Sequence, residues 1–195
     1  MTRLLLDDTF GEALAYALEL HRDQWRKGNA QLPYLGHLLG VCSLVLDDSG
    51  TQEQAIAALL HDAVEDRGGR PTLAEIDRRF GSEAAGIVEA CSDTLDKEHE
   101  QRPWRARRED YLAHLERQPP GVLRVSLADK LFNARSILRD LLEIGDELWE
   151  RFNAGRDEQL WHYRALADAF LRLAPGPMAR ELDEVVSSIE RHVAR

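Results

Sequence analysis

The fold is decided by residues 57–66, which read Ala57-Ala58-Leu59-Leu60-His61-Asp62-Ala63-Val64-Glu65-Asp66. The last six of these positions hold one histidine and three carboxylates, directly after an apolar run. The spacing predicts a helix over Gln52–Val64, with a buried face made of Ile56, Leu59, Leu60 and Ala63. On such a helix His61 and Asp62 lie about 100° apart and flank one inward-facing point, and Glu65 stacks on the same side as His61.

The pair His61-Asp62 is a candidate for binding a metal ion, because carboxylates are rarely buried unless they are paired or bound to metal. The same dipeptide is also common as a hydrogen-bonded pair at a helix end, so the metal hypothesis needs ligands from elsewhere. Two further positions offer them. His37 opens an apolar helix, and Asp129 lies inside another, where an unpaired carboxylate is costly.

These four side chains would form a mixed shell of two imidazoles and two carboxylates. Such a shell suits Mn²⁺ or Fe²⁺ with open coordination positions better than a closed tetrahedral zinc site. Open positions matter because a metal ion can lower the pKa of water toward neutrality. The sequence therefore indicates a hydrolytic metal centre assembled from separate helices.

Composition limits the classes of partner. The 195 residues are 44% hydrophobic, which is typical of a globular protein with a substantial core. The net charge of −10 argues against nucleic-acid binding, which needs a basic surface, but it is compatible with a small anionic substrate in a cationic pocket. No apolar run approaches the roughly 18 residues that span a bilayer. Cys42 and Cys91 fit core positions and a reducing, cytoplasmic location.

Apolar residues recur at helical spacing along the whole chain, and no convincing strand alternation is present. We expect an all-α single domain of roughly eight to ten helices. Thr72 with Glu75 forms a capping-box signature that predicts a helix start at Thr72. The aromatic segment with Trp149, Trp161 and His162 is expected to pack in the core, with a dimer surface or a part of the substrate pocket as open alternatives.

Taken together, the chain resembles the HD superfamily of metal-dependent phosphohydrolases, and within it the hydrolase domain of the RelA/SpoT alarmone enzymes and the small alarmone hydrolases. The matching motifs are His21-Arg22-Asp23-Gln24 with Arg26-Lys27, Pro33-Tyr34-Leu35-Gly36-His37, Ala58 to Asp66, Phe80-Gly81 and Leu127-Ala128-Asp129-Lys130-Leu131-Phe132-Asn133-Ala134-Arg135. The resemblance implies one HD domain over residues 1–195. Its family core spans about residues 8–140, and a helical extension spans about residues 145–195.

Roles for individual residues follow from this resemblance. It implies that the metal ligands are His37, His61, Asp62 and Asp129. Glu65 and Asp66 match the acidic pair that orients the attacking water and accepts its proton. Arg26 and Lys27 match residues that line the nucleoside pocket, and Asn133 matches a residue that contacts the nucleotide. Lys130 and Arg108 are expected near phosphates, with acid pairing or a solvated face as the alternatives.

The implied reaction is Mn²⁺-dependent hydrolysis of guanosine 3′,5′-bis(diphosphate) to GDP and pyrophosphate. Alternatives are a phosphatase on another nucleotide, such as the 2′-phosphate of NADPH, and a general nucleotidase. A di-iron oxygenase would need an adjacent histidine pair, which the sequence lacks. The acids Glu65 and Asp66 argue against a non-catalytic binding module. We expect a small-molecule nucleotide as partner, no nucleic acid and no membrane, and leave a homo-oligomer open.

Two positions depart from the family pattern. Leu38 stands where proline is usual, and Phe132 stands where tyrosine is usual. If that tyrosine contacts the nucleotide, Phe132 loses one hydrogen bond, on the order of 1 kcal/mol.

Overall fold

The computed structural model describes residues 6–26, 29–92 and 101–194. These residues are mainly α-helical, so the prediction of an all-α fold is confirmed. The helices are α1 (Asp8–His21), α2 (Leu35–Asp47), α3 (Gln52–Leu60), α4 (Ala63–Asp66), α5 (Arg70–Phe80), α6 (Ser82–Cys91), α7 (Trp104–Leu115), α8 (Pro120–Ile144), α9 (Arg156–Leu173) and α10 (Pro177–Val193). A 3₁₀-helix covers Gly145–Arg151. Within the described part of the chain, no helix combines the length and apolar character that a bilayer crossing requires.

Helix α3 lies at the centre of the fold. It contacts α1, α2, α6 and α8, and its residues from Ala55 to Leu60 are at most 1% exposed. A helix that is apolar on all sides has to be surrounded by other helices, as this one is. The C-terminal helices α9 and α10 close the same core with Phe170 and Leu182, both fully buried. The segment that carries the histidine-aspartate pair is therefore anchored by a helix whose residues 55–60 are almost completely buried.

The start of α3 is fixed by a capping box that the sequence analysis did not single out. The Thr51 hydroxyl accepts a hydrogen bond from the Gln54 amide N–H, and the Gln54 side chain accepts one from the Thr51 N–H, both at 3.3 Å. The box predicted at Thr72 is wrong, because α5 begins at Arg70, after Gly69. The Thr72 hydroxyl instead donates to the Arg67 carbonyl at 2.6 Å.

The helix predicted over Gln52–Val64 is interrupted. Helix α3 ends at Leu60, His61 and Asp62 form a turn, and α4 starts at Ala63. The Ala58 carbonyl, which a continuing helix would use for its own ladder, accepts a hydrogen bond from His61 Nδ1 at 2.9 Å. Both residues of the turn keep right-handed helical backbone angles, and Asp62 Oδ2 lies 3.0 Å from His61 Nε2.

A short hairpin was not expected from the sequence. Strand β1 (Trp25–Arg26) pairs antiparallel with strand β2 (Asn29–Pro33), with Trp25 opposite Pro33 and Arg26 opposite Asn29. Strands of this length are too short to produce a recognisable alternation of polar and apolar residues. The hairpin leads the chain from α1 directly into Tyr34 and the start of α2.

Phe132 of α8 packs tightly against Gly40 of α2. A Cβ atom placed on Gly40 would lie 2.0 Å from Cε2 of Phe132, whose ring also packs 5.1 Å from the ring of His37. A side chain at position 40 therefore forces the Phe132 ring against its neighbours. By contrast, a Cβ on Gly36, in the first turn of the same helix, meets nothing within 4 Å.

We therefore expect Gly40→Ala to lower the free energy of unfolding by about 1–3 kcal/mol, because it overpacks the contact between α2 and α8. The matched variant Gly36→Ala should be neutral or stabilising by up to about 1 kcal/mol, because alanine favours helix. Urea unfolding followed by circular dichroism measures both. Equal stability of the two variants would contradict the close approach at Gly40.

Candidate metal centre and substrate cavity

Four side chains from separate elements converge at one point. His37 comes from the first turn of α2, His61 and Asp62 from the turn after α3, and Asp129 from the middle of α8. Asp62 Oδ2 lies 3.5 Å from His37 Nε2 and 3.0 Å from His61 Nε2. Asp129 Oδ1 lies 3.3 Å and 3.7 Å from the same two nitrogens. The structure thus brings together all four residues that the sequence analysis named as metal ligands.

Both imidazoles are buried, and a backbone carbonyl fixes the orientation of His61. His37 is 2% exposed and His61 is 4% exposed. Because the Ala58 carbonyl can only accept, His61 Nδ1 carries a proton, and Nε2 is the ring nitrogen that faces the cluster. That Nε2 atom is buried and makes no well-aligned hydrogen bond with the described residues. A histidine fixed by a carbonyl through one nitrogen, with the other nitrogen turned to the cluster, is the usual arrangement of a metal ligand, and a cation that binds Nε2 takes the place of its proton.

The electrostatics of the cluster favour positive charge between the carboxylates. Burial alone would raise the pKa of Asp62, but His61 and His37 hold that pKa well below its usual value. Burial also opposes ionisation of Asp129, and Lys130 and the two histidines hold its pKa well below the usual value. For His61, burial disfavours the charged form, yet the adjacent carboxylates hold its pKa well above normal. A divalent cation satisfies this donor set of two nitrogens and two carboxylates.

A second layer of side chains orients the two carboxylates. The Tyr34 hydroxyl donates to Asp62 Oδ2 at 2.5 Å, and burial together with that carboxylate raises the pKa of Tyr34, so the hydroxyl remains a donor. Asn133 Nδ2 donates to Asp129 Oδ1 at 2.6 Å, and Lys130 Nζ lies 2.8 Å from Asp129 Oδ2. Such partners fix the direction of metal ligands and commonly tune metal affinity.

The two acids predicted to be catalytic lie on different sides of α4. Glu65 lines a small cavity of about 50 Å³ together with His61, Asp62 and Asp129. Asp66 is absent from that lining, and its Oδ2 accepts a hydrogen bond from Gln24 Nε2 at 2.6 Å. Glu65 is therefore next to the candidate metal ligands, whereas Asp66 is held at the edge of the cluster by Gln24, three residues after the end of α1.

A second cavity of about 510 Å³ lies alongside the metal centre, and Lys130 lines both cavities. Among the described residues its wall carries six cations and one carboxylate, although the whole chain has a net charge of −10. The cations are Arg26, Arg107, Arg108, Lys130, Arg139 and Arg151, and the carboxylate is Asp140. An acidic protein thus presents a basic pocket, which a multiply charged anion requires.

Helix α8 sets the length of this cavity. Lys130, Asn133, Ile137 and Asp140 all line it and recur at helical spacing. Ten residues of helix span about 15 Å, so the cavity extends from the metal centre over nearly three turns of α8. At the far end Arg139 and Arg151 pair with Asp140 at 3.2 Å and 3.0 Å. This is enough room for a nucleotide with a charged group at each end.

The predicted substrate contacts have mixed outcomes in the structure. Arg26 lines the cavity, donates to Asn133 Oδ1 at 2.8 Å and lies 5.7 Å from the centre of the Tyr34 ring. Arg108 lines the cavity with its guanidinium 5.6 Å from the ring of Trp104. Lys27 lies outside the described residues. Asn133 uses both ends of its amide to join Arg26 to Asp129.

Several site residues were not assigned a role from the sequence. Tyr34 and Gln24 belong to the quoted motifs, but the sequence did not show which residues they contact. Gln159 and His162 of α9 are each 6% exposed and line the large cavity. Burial, with Arg108 and Lys130 nearby, lowers the pKa of His162 to about 2, so its ring is neutral. His162 therefore belongs to the pocket wall as well as to the core.

Comparisons with known proteins agree with this geometry. A family model described as HD domain matches residues 13–159. The chain is 37% identical over 142 residues to guanosine-3′,5′-bis(diphosphate) 3′-pyrophosphohydrolase MESH1 of Xenopus tropicalis, covering 71% of this chain and 72% of the relative. It is 36% identical over 145 residues to the Homo sapiens protein of the same name, with the same coverage of 71% and 72%. The fold is similar to a solved metazoan ortholog of SpoT that hydrolyses ppGpp, with a TM-score of 0.75 and 22% identity over 96% of this chain and 98% of that chain.

We expect Asp129→Asn to abolish stoichiometric Mn²⁺ binding, because it removes one of two anionic ligands from a buried cluster. Asp140→Asn, on the same helix but at the far end of the cavity, should bind Mn²⁺ like the unaltered protein. Isothermal titration calorimetry with Mn²⁺ measures both. Unchanged affinity in Asp129→Asn would show that the ion binds elsewhere.

Tyr34→Phe should weaken Mn²⁺ binding by about 10-fold to 100-fold, because Asp62 loses the hydroxyl that orients it. The control is Tyr16→Phe, a buried tyrosine that contacts Phe80 and Arg79 away from the cluster. Calorimetry compares the two dissociation constants. Equal constants would mean that Asp62 is oriented without Tyr34.

Proposed function

The chain belongs to the HD-domain family, and we propose that it is a divalent-metal-dependent hydrolase that converts guanosine 3′,5′-bis(diphosphate) to GDP and pyrophosphate. The observation that carries the proposal is a cluster of two buried histidines and two aspartates beside a cationic cavity that follows α8 for about 15 Å. The relatives named for this reaction share 36% and 37% identity with the chain over most of its length, which supports the choice of substrate.

In the proposed reaction, water attacks the phosphorus atom that is bonded to the 3′ oxygen. The bond between that phosphorus and the 3′ oxygen breaks, the 3′ oxygen takes a proton, and pyrophosphate leaves. His37, His61, Asp62 and Asp129 would hold the cation. When bound, a divalent ion supplies Lewis-acid stabilisation and lowers the pKa of water.

The carboxylates of α4 would act in general acid–base catalysis. Glu65 lines the small cavity at the metal ligands, so it is the best-placed acceptor for the proton of the attacking water. Asp66, held by Gln24, is its proposed partner in orienting that water. Both side chains are exposed at this edge, which leaves a route for proton exchange with solvent.

The cations of the large cavity would neutralise the substrate. Lys130 contacts Asp129 directly, and Arg26 is linked to Asp129 through Asn133. Both cations would therefore bind the scissile diphosphate. Arg108, stacked on Trp104, offers charge on the α7 side of the cavity, and Arg139 and Arg151 offer it at the far end. Fixed cations in a partly desolvated site stabilise the charge that develops in the transition state.

The proposal also covers the native metal ion, the domain organisation and the cellular compartment. We propose Mn²⁺ as the native ion, because the mixed nitrogen and oxygen ligands suit it. We propose one domain over the whole chain, since the apolar core runs from Ala13 of α1 to Val186 of α10. Cys42 and Cys91 are free thiols, which is consistent with a reducing compartment such as the cytoplasm.

The test is a substrate panel with purified protein and Mn²⁺. Guanosine 3′,5′-bis(diphosphate), NADPH and nucleoside monophosphates are supplied at equal concentration, and products are separated by ion-exchange chromatography. We expect GDP and pyrophosphate from the first substrate at the highest kcat/KM. Turnover of NADPH or monophosphates with the bis(diphosphate) left intact would overturn the substrate assignment.

The matched variant is Glu65→Gln, which keeps the shape of the side chain and removes its basicity. We expect kcat to fall about 100-fold or more while Mn²⁺ binding is retained. Glu83→Gln, an exposed acid at the start of α6, should have the kcat of the unaltered protein. Normal turnover by Glu65→Gln would remove Glu65 from the reaction.

A further inference from the structure

Gln24 links three elements through one amide group. It follows α1, and its backbone is fixed on both sides: its N–H donates to the His21 carbonyl at 3.0 Å, and its carbonyl accepts from the Tyr34 N–H at 2.9 Å. Its side chain reaches α4, where Nε2 donates to Asp66 Oδ2 at 2.6 Å. The amide therefore connects the start of the hairpin to the acid pair beside the metal ligands.

Only one orientation of this amide satisfies its neighbours. Gln24 Oε1 accepts hydrogen bonds from Arg67 Nε at 3.1 Å and from His21 Nδ1 at 2.7 Å. A flipped amide would set its NH₂ group against the Arg67 N–H and its oxygen against the Asp66 carboxylate. Arginine is always a donor and an ionised carboxylate only accepts, so the flipped form is excluded. The N–H of Gln24 is thus directed at Asp66.

The groups behind the amide are themselves held in place. His21 is 1% exposed and its ring stacks on that of Tyr34, with centroids 5.5 Å apart. Burial lowers the pKa of His21, so the ring is neutral and its one proton is used on Gln24. The Arg67 guanidinium also donates to Asp23 Oδ1 at 2.7 Å. Gln24 is consequently a fixed donor, whereas Asp66 is an exposed side chain.

We propose that Gln24 is a positioning residue that acts through Asp66. Its N–H holds one oxygen of the Asp66 carboxylate and thereby sets the direction of the other. Without this bond an exposed aspartate samples several rotamers, and misplacing a reacting group by about 1 Å can cost on the order of 100-fold in rate. This inference rests on the proposed function, because it assigns Asp66 a part in turnover.

The discriminating variant is Gln24→Glu. Glutamate keeps the length of the side chain and both acceptor contacts, to His21 and Arg67. It replaces the donated N–H with an anionic oxygen that repels the Asp66 carboxylate. We expect kcat to fall about 10-fold to 100-fold with KM, Mn²⁺ affinity and thermal midpoint unchanged. A purely structural role for Gln24 predicts normal kcat in this variant, and that result would overturn the proposal.

The matched control is Gln52→Glu at the start of α3. Gln52 also uses its Oε1 as an acceptor, from the Asp7 N–H at 2.8 Å, and is remote from the acid pair in its contacts. It should have the kcat of the unaltered protein. A similar loss in Gln52→Glu would assign the effect to added charge and would overturn the role of Gln24.

A double-mutant cycle shows whether the effect passes through Asp66. In an Asp66→Ala background, Gln24→Glu should change kcat by less than about twofold. The carboxylate that Gln24 positions is already absent there, so the effects of the two substitutions are not additive. An equal loss in both backgrounds would mean that Gln24 acts by another route. Normal turnover by Asp66→Ala alone would overturn the positioning role and leave hydrolysis by the unaltered protein intact.

A crystal structure of Gln24→Glu supplies a readout that does not depend on activity. We expect the Asp66 carboxylate to take a different rotamer or to lose defined density, with His37, His61 and Asp129 unmoved. An unchanged Asp66 would overturn the proposal even if the protein acts on a different substrate. Failure of the positioning role and failure of the substrate assignment are thus separate results.

Discussion

The structure depends on burying two carboxylates and two imidazoles against one another. An ionised carboxylate in an apolar core is costly, and the cost rises when a second one lies nearby. Here Asp62 and Asp129 stay ionised because imidazoles and Lys130 surround them. The buried His61 Nε2 with no well-aligned partner marks the place where positive charge is still needed. A divalent cation at this point would join three parts of the chain that are distant in sequence.

Two helices make that convergence rigid. Helix α3 is buried on all sides and delivers His61 and Asp62 from its end, whereas α8 supplies Asp129 and then runs along the cavity. Helix α8 carries both Asp129 and one wall of the cavity. The distance from the candidate metal centre to Arg139 at the far end is therefore fixed by helix geometry. Rigid elements of this kind hold reacting groups more precisely than loops do.

The sequence was sufficient to predict the helices, which have a periodic apolar pattern, and the residues that belong to recognisable motifs. Helical periodicity was sufficient for an all-α fold, and the four candidate ligands were singled out because a histidine or an acid inside an apolar helix needs an explanation. The break at His61 was not predictable from periodicity, since it depends on a side chain taking the Ala58 carbonyl. The roles of Tyr34 and Gln24 were missed for the same reason, and His162 was left undecided between the core and the substrate pocket. Their importance lies in contacts between elements, and spacing along the chain does not encode those contacts.

The most direct test of the account is the position of the bound ion. Crystals grown with Mn²⁺ and measured at the manganese absorption edge give an anomalous map that locates it without reference to activity. The account predicts one strong peak about 2.0–2.3 Å from the ligating atoms of His37, His61, Asp62 and Asp129. A fully occupied peak elsewhere, with these four side chains left without an ion, would contradict it.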